Sequence, residues 1–375
     1  MKILYLSHSI VPSREANSIH VMKMCNAFAV NGHTVELSTA QKKEVLEDNV
    51  TDVYEFYGVQ KNFQIRNFFW GNFKGTSYLY ALQIFVLLFL KSFTKNRYNL
   101  VYGRFLLGCF LASLFGYKVV FELHAPVSIK KSELFYFRKL MQSKNTVRLV
   151  VISESLKTEI ISTFPNVRER IFVAHDGADR VNAEDKILLP KKDCFNVGYI
   201  GHLYKGRGIQ LLLDLAQSCP WAELHIIGGT KEDIDFWKSK STKISNVTFY
   251  GFLPPKITAK YRNACDVLLA PYENKVSISG SSYDTSKWMS PLKIFEYMSA
   301  NKPIISSDIK VLHEILTNEK NAILCKAESL PDWKNALEKL KNDPVLCNTL
   351  AQNAFNDFLQ HYTWKTRAEK VICFE

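Results

Sequence analysis

Residues 290–308 read S-P-L-K-I-F-E-Y-M-S-A-N-K-P-I-I-S-S-D. Ser290 is a good N-cap, and Pro291 suits the first helical position, where a missing N–H costs nothing. Leu292, Phe295 and Met298 recur on one apolar helix face, while Lys293 and Glu296, three apart, share another. Asn301 takes readily to the left-handed conformation that ends a helix, and Pro303 blocks continuation. Pro-Ile-Ile-Ser-Ser then reads as a short buried parallel strand. A loop entering a helix start with a lysine in the first turn is an anion site, because free backbone N–H groups and the positive dipole end converge there. A carboxylate one turn further on is a poor phosphate neighbour but a good bidentate acceptor for the vicinal hydroxyls of a ribose. Two readings stand: a nucleotide-diphosphate pocket, or an ordinary capped amphipathic helix with Lys293 and Glu296 as a surface pair.

The chain around this stretch has 375 residues, enough for two domains, and its 47% hydrophobic content fills two cores and excludes a disordered chain. Its eight cysteines form no C-x-x-C pair and have no His-rich ligand spacing, which argues against a zinc site or a disulfide scaffold and for a reducing, cytosolic compartment. Met1–Leu6 is too short for a signal peptide and runs into Ser7-His8-Ser9. Residues 56–148 hold fourteen Lys or Arg against two acids, Glu122 and Glu133, so this quarter of the chain carries an excess equal to the whole formal charge of +12. Basic blocks serve nucleic acids or anionic membranes. Here the cations are interleaved with Phe, Leu, Trp and Tyr, which favours the membrane surface over nucleic acid.

The 290–308 stretch resembles the donor-site signature of retaining glycosyltransferases of family 4, which have the two-domain GT-B fold. Glu296 matches the second of two glutamates in that signature, the one that binds the donor ribose; Trp288 stands where the first would fall. The sequence resembles the S-P-L-K subgroup, in which Ser-Pro-x-Lys precedes the remaining glutamate. The resemblance implies an α/β chain of two Rossmann-like parallel-sheet domains facing a central cleft. Residues 1–185 would form the acceptor-binding domain, residues 193–355 the nucleotide-sugar domain, and residues 356–375 a terminal helix crossing back to the first.

The remaining segments follow the family order. Residues 2–6 read as a strand, residues 18–30 as a helix ending at Asn31-Gly32, and His33 to Ser38 as a second strand. Ligands sit at the carboxyl ends of strands in open parallel sheets, which makes Ser18 and His20 candidates for the acceptor side. Tyr78–Phe93 is apolar but shorter than the roughly 20 residues that span a bilayer. It reads as a buried helix or as one docked in the membrane interface with Lys91, Lys95 and Arg97 near headgroups. Ile129–Met141 alternates Lys130, Lys131, Arg138 and Lys139 with apolar residues in the same sense. Strands are expected at 99–104, 118–124 and 148–152. The Phe-Glu-Leu-His124 ending resembles the place where the family keeps an active-site histidine near the donor sugar. Phe172 to Asp179 resembles the turn closing the N-terminal domain, with a positive φ expected at Gly177, and residues 180–193 read as the linker.

The second half opens with Asn196-Val-Gly-Tyr-Ile-Gly-His-Leu-Tyr-Lys-Gly-Arg-Gly-Ile, a strand, a glycine turn and a helix. It resembles the family's phosphate loop, with Gly201 in the turn, His202 where arginine is usual and Arg207 where lysine is usual. Arg207 is the expected diphosphate contact, since a guanidinium gives forked hydrogen bonds to phosphate oxygens, and Lys205 is its helper. Strands follow at 223–229, 246–253 and 265–272. Gly228 would let backbone approach a ligand, Phe252 lies in a loop resembling the one that reads the base, and Ser277–Lys287 reads as a mobile segment closing over the sugar. The expected catalytic set is His124, Arg207, Lys293 and Glu296, with Ser290, Pro291 and Leu292 also on the donor.

Together these imply a retaining, metal-independent hexosyl- or N-acetylhexosaminyltransferase. It would use a UDP- or GDP-linked sugar and no other cofactor, act on a glycan or polyprenyl-linked acceptor, and lie peripherally on the inner face of the cytoplasmic membrane. The alternative is a non-catalytic GT-B partner of another glycosyltransferase.

Overall fold

Near-continuous apolar runs, rather than alternating ones, mark strands covered on both faces, and the chain forms two all-parallel sheets from such runs. The structure is a computed structural model that describes residues 1–41, 47, 50–190, 194–277 and 284–374. The first sheet is built from β1 (Lys2–Ile10), β2 (Thr34–Gln41), β3 (Gln64–Phe69), β4 (Leu100–Gly103), β5 (Lys118–Leu123), β6 (Thr146–Val151) and β7 (Ile171–Val173), in the order β3-β2-β1-β4-β5-β6-β7. The second is built from β8 (Phe195–Ile200), β9 (Ala222–Ile227), β10 (Val247–Gly251), β11 (Val267–Ala270), β12 (Ile304–Ser307) and β13 (Ile323–Cys325), in the order β10-β9-β8-β11-β12-β13. Both are doubly wound. Strand order reverses between β1 and β4 in one sheet and between β8 and β11 in the other, and ligands bind at the carboxyl ends of strands at such points. The chain divides into one unit of Met1–His175 with Trp364–Glu375 and another of Asp176–Thr363. The helix Pro344–His361 belongs to the second unit, and the return to the first is made by Trp364–Ile372.

Several local expectations shift by a turn or less. β1 runs on to Ile10, four residues past the expected end, because its polar residues find partners: the Ser7 and Ser9 hydroxyls lie 2.7 Å apart, and Tyr80 Oη donates to the Ser7 carbonyl at 2.5 Å. The first helix is Ala16–Val30, closed at Gly32 with φ 82°. Asn301 is left-handed as expected, with φ 52°, and the chain passes from it into β12. Gly177 is not among the described glycines with positive φ, so the turn at that position closes without a left-handed residue. Residues 180–190 carry no helix or strand, while 191–193 of the expected linker and 278–283 of the expected mobile segment lie outside the described residues.

All of Tyr78–Phe93 but its last residue, the C-cap Phe93, lies on a helix, Thr76–Ser92. Tyr80, Ala81, Ile84, Leu87 and Leu88 turn inward, whereas Tyr78, Leu82, Phe85, Val86, Phe89, Leu90 and Phe93 form a stripe facing outward. The second basic segment folds as the helix Lys131–Gln142. Among the described residues no helix is long and apolar enough to cross a membrane.

Candidate functional site

In the second unit the site grows from the switch point. β8 ends at Ile200 and the chain turns at Gly201, φ 155°, where a Cβ would lie 2.9 Å from both Cε and Nζ of Lys293. Glycine is therefore the residue that lets Lys293 reach the sheet edge. Gly228, φ 115°, was expected to face a ligand; a Cβ there would lie 2.1 Å from the Gly201 carbonyl oxygen, so its close approach is to the neighbouring loop.

Lys293 sits in the first turn of the helix Leu292–Ser299. Its ammonium lies 3.6 Å from the Tyr199 ring centroid and 5.4 Å from that of Tyr272. The Arg207 guanidinium lies 4.9 Å from the Tyr204 ring and 5.6 Å from the same Tyr272 ring. Arg207 donates to Tyr204 Oη at 3.0 Å and to the Ser277 carbonyl at 3.4 Å, but its buried Nε has no hydrogen-bond partner among the described residues. Among the described residues neither cation is in an ion pair. Burial, and then repulsion from Arg207, hold the Lys293 pKa well below the usual lysine range. Two half-buried cations held by aromatic faces, with no counterion of their own, are poised for an anion.

The helix start is not capped as the sequence implied. Pro291 is the N-cap, no side chain caps the first turn, and the Ser290 hydroxyl instead accepts the Asp176 backbone N–H at 2.8 Å. Drawing Ser290 away leaves first-turn N–H groups, which have no partner within a helix, next to Lys293. Nor do Lys293 and Glu296 form a surface pair. Glu296, with its side chain 33% exposed, accepts from Arg262 Nη1 at 3.2 Å. His202 stacks on Tyr204 with ring centroids 5.1 Å apart, and burial plus the charges of Arg207 and Lys293 lower its pKa to about 4. Lys205 is exposed, and its carbonyl accepts the Ser277 hydroxyl at 2.8 Å. Pro291 and Leu292 are half-buried at the helix start, and Phe252 is half-buried just past β10.

In the first unit, Ser18 is fully buried and donates to the Ile10 carbonyl at 2.7 Å, anchoring the loop after β1. His20 is buried too, edge-on to His124 with ring centroids 4.7 Å apart and to Trp364 at 5.2 Å. His124 Nε2 lies 2.6 Å and His20 Nε2 3.1 Å from Glu122 Oε1. The sequence reading did not single out Glu122, although its i, i+2 spacing to His124 puts both on one face of a strand. It also missed Arg367, which donates to Glu122 Oε1 at 2.7 Å and to the His175 carbonyl at 2.9 Å. Tyr102 Oη donates to the other Glu122 oxygen. Burial pushes the Glu122 pKa up, but Arg367, His20 and His124 outweigh it and hold the carboxyl well below the usual range. His124, by contrast, is lowered to about 4 by burial and by the Arg104 charge, against the pull of Glu122. His20, Glu122 and His124 each bring a possible ligand atom within 4.8 Å of the others. The Glu122 carboxylate is engaged within the cluster by Arg367, Tyr102 and His124.

Residues 18–181 match the family model described as Glycosyltransferase Family 4, and residues 181–357 match that described as Glycosyl transferases group 1. A curated relative, the O-antigen chain mannosyltransferase RfbU of Salmonella typhimurium, is 22% identical over 246 residues, 66% of this chain; the chain covers 64% of that relative's length, less than two thirds. Among solved structures, Anabaena Alr3699/HepE in complex with UDP and glucose superposes with a TM-score of 0.70 at 16% identity, covering 99% of this chain and 98% of that one. The lipopolysaccharide outer core galactosyltransferase WaaB superposes with a TM-score of 0.64 at 15% identity, covering 99% of both chains. At these identities the likeness carries the fold, two Rossmann-like parallel-sheet domains of the GT-B type.

Proposed function

The chain belongs to the family 4 type of glycosyltransferases, and from that premise we propose that it moves a sugar, with retention, from a UDP- or GDP-linked donor to a hydroxyl of a lipid-linked or surface-polysaccharide acceptor. The observation that carries this reading is the Arg207 and Lys293 pair, without counterions among the described residues, beside an uncapped helix start at the β8/β11 switch point. As the bond from the anomeric carbon to the diphosphate oxygen breaks, negative charge grows on the leaving group. In this reading Arg207, Lys293 and the first-turn N–H groups stabilise it. The acceptor oxygen bonds to the same face of that carbon, and its proton passes to the leaving phosphate oxygen. Glu296, near Lys293 on the same helix, anchors the ribose hydroxyls, and the family resemblance is what assigns neutral His124 a role at the sugar. The HepE complex with UDP and the names of RfbU and WaaB support a nucleotide-linked hexose and a bacterial surface glycan.

The outward stripe of Tyr78, Leu82, Phe85, Val86, Phe89, Leu90 and Phe93, with Lys91 at its end, supports peripheral docking on an anionic membrane where such an acceptor resides. The test is sugar transfer to a lipid-linked acceptor extract, with the anomeric configuration of the product read by NMR. We expect a retained configuration and at least about tenfold lower turnover in Glu296→Ala, with the fold intact. Nucleotide binding without any turnover would favour a non-catalytic partner subunit, and an inverted product would remove the retaining reading.

A further inference from the structure

β4 ends at Gly103, so Arg104 is the first residue at the carboxyl end of the strand that borders the switch point of the first sheet. Its backbone N–H is fixed on the Leu6 carbonyl at 2.9 Å, which holds it beside the end of β1. The side chain is half-buried and its Nη1 is inaccessible, and among the described residues Nη1 has no hydrogen-bond partner and no carboxylate pairs with the group. A guanidinium in that position is costly to keep unless something absent from the chain satisfies it.

Its surroundings are shaped rather than random. His8, on β1, lies 5.9 Å from the Phe105 ring and 6.1 Å from that of Trp70, stacked on the latter at 23°. Tyr80 closes the wall, 5.7 Å from Trp70 and 5.0 Å from Phe105. His8 and His124 both feel the Arg104 charge, which together with burial lowers each to about 4, so both stay neutral and leave Arg104 as the cation there. The segment carrying Trp70 is tied to the outward-striped helix: the Phe69 N–H donates to Gln83 Oε1 at 3.1 Å and Gln83 Nε2 donates to the Phe69 carbonyl at 2.9 Å.

We propose that Arg104, beside His8 and the Trp70–Phe105 wall, docks a phosphoryl group carried by the acceptor, at a site separate from the donor diphosphate held by Arg207 and Lys293. The inference rests on the reading of the first unit as the acceptor side of a glycosyltransferase. A guanidinium forks onto phosphate oxygens, neutral imidazole adds a hydrogen bond, and the aromatic wall takes the apolar or sugar face of the attached group. The phosphoryl group has two possible sources, a prenyl diphosphate in the lipid surface or a soluble phosphorylated glycan.

The test begins with full-length protein saturated with the nucleoside diphosphate it binds. Inorganic pyrophosphate in one arm and farnesyl diphosphate in the other are titrated calorimetrically into wild type, Arg104→Lys and Arg104→Gln. One site is expected in wild type, weakened at least about tenfold in Arg104→Gln and partly kept in Arg104→Lys. Tighter farnesyl diphosphate binding assigns the site to a lipid-linked acceptor, and equal binding to a soluble one. Without ligand, Arg104→Gln should melt at or above wild type, because it removes a half-buried unpaired charge. Binding unchanged in Arg104→Gln, no binding to nucleotide-saturated wild type, or a lower melting temperature for the unliganded variant would overturn the site. Failure to bind any nucleotide, measured first, would instead remove the glycosyltransferase reading itself.

Discussion

Burial, and then the Arg207 guanidinium, both work against a charge on Lys293, and three histidines feel similar forces. His8, His124 and His202 are each lowered from 6.5 to about 4, with burial the first cause. In the unfolded chain each takes up a proton near its ordinary pKa, whereas the folded chain resists protonation down to about pH 4. Between those values the unfolded state binds more protons, so the contribution these groups make above pH 6.5 is lost as pH falls toward 4. Glu122, held low, adds a loss in the same direction as pH falls below the ordinary carboxylate range. We expect melting temperature to be level near neutrality and to fall steadily from pH 6.5 to 4, with a shallower slope in His124→Gln and His202→Gln. An unchanged slope in both variants would contradict the assignment. At this scale the sequence was informative about cations and poor about partners. Lys293 could be picked out from helix-start chemistry, and Arg207 from the resemblance of its glycine turn to the family's phosphate loop. Tyr199, Tyr204 and Tyr272, which hold them, come from separate segments that only the folded sheet brings together.

The helix Thr76–Ser92 shows why periodicity gave its ends within two residues but left its role open. A run that is apolar all round fits either a buried helix or an interfacial one, and the decision depends on which neighbours cover it. The fold covers one side and leaves Leu82, Val86 and Leu90 outward at 57%, 47% and 60% exposure. Since these residues contribute little to the core, Leu82→Asp with Leu90→Asp should leave thermal stability within about 0.5 kcal/mol while releasing the protein from anionic vesicles in a flotation assay. Vesicle binding equal to wild type would remove the stripe as the anchor. Glutamate at Lys130, Lys131, Arg138 and Lys139 asks the same of the helix Lys131–Gln142. The helix Leu292–Ser299 teaches the opposite lesson: its capping signal at Ser290 was real, but the hydroxyl is taken by the Asp176 N–H, a partner 114 residues away that no local pattern reveals.

Across the whole molecule, two parallel sheets with the same winding were legible because buried parallel strands announce themselves as apolar runs ending in glycine or polar residues. What the sequence could not show is how the chain's last segment completes the first unit. Arg367, 2% exposed, pairs with fully buried Glu122, which in turn holds His124 and His20, so residues 245 positions apart form one polar cluster. Removing one partner of a buried pair leaves the other charge uncompensated. Arg367→Met should therefore cost about 3–5 kcal/mol of stability, read as a lower midpoint in urea, and the double variant with Glu122→Gln should recover much of it. A single variant as stable as wild type would show that the pair does not hold the segment.

The most direct test of the central claim, that Arg207 and Lys293 form a diphosphate site, is thermal melting of wild type, Lys293→Met and Arg207→Met with and without UDP, GDP, ADP, TDP and CMP. At about 100 times its dissociation constant a ligand adds roughly 2.7 kcal/mol, so one nucleotide should raise the wild-type midpoint clearly. Unliganded Lys293→Met should melt at or above wild type, freed of a half-buried amine whose charge burial and Arg207 oppose, and both variants should lose the nucleotide response. A wild type indifferent to every nucleotide, or variants that respond as wild type does, would contradict the claim.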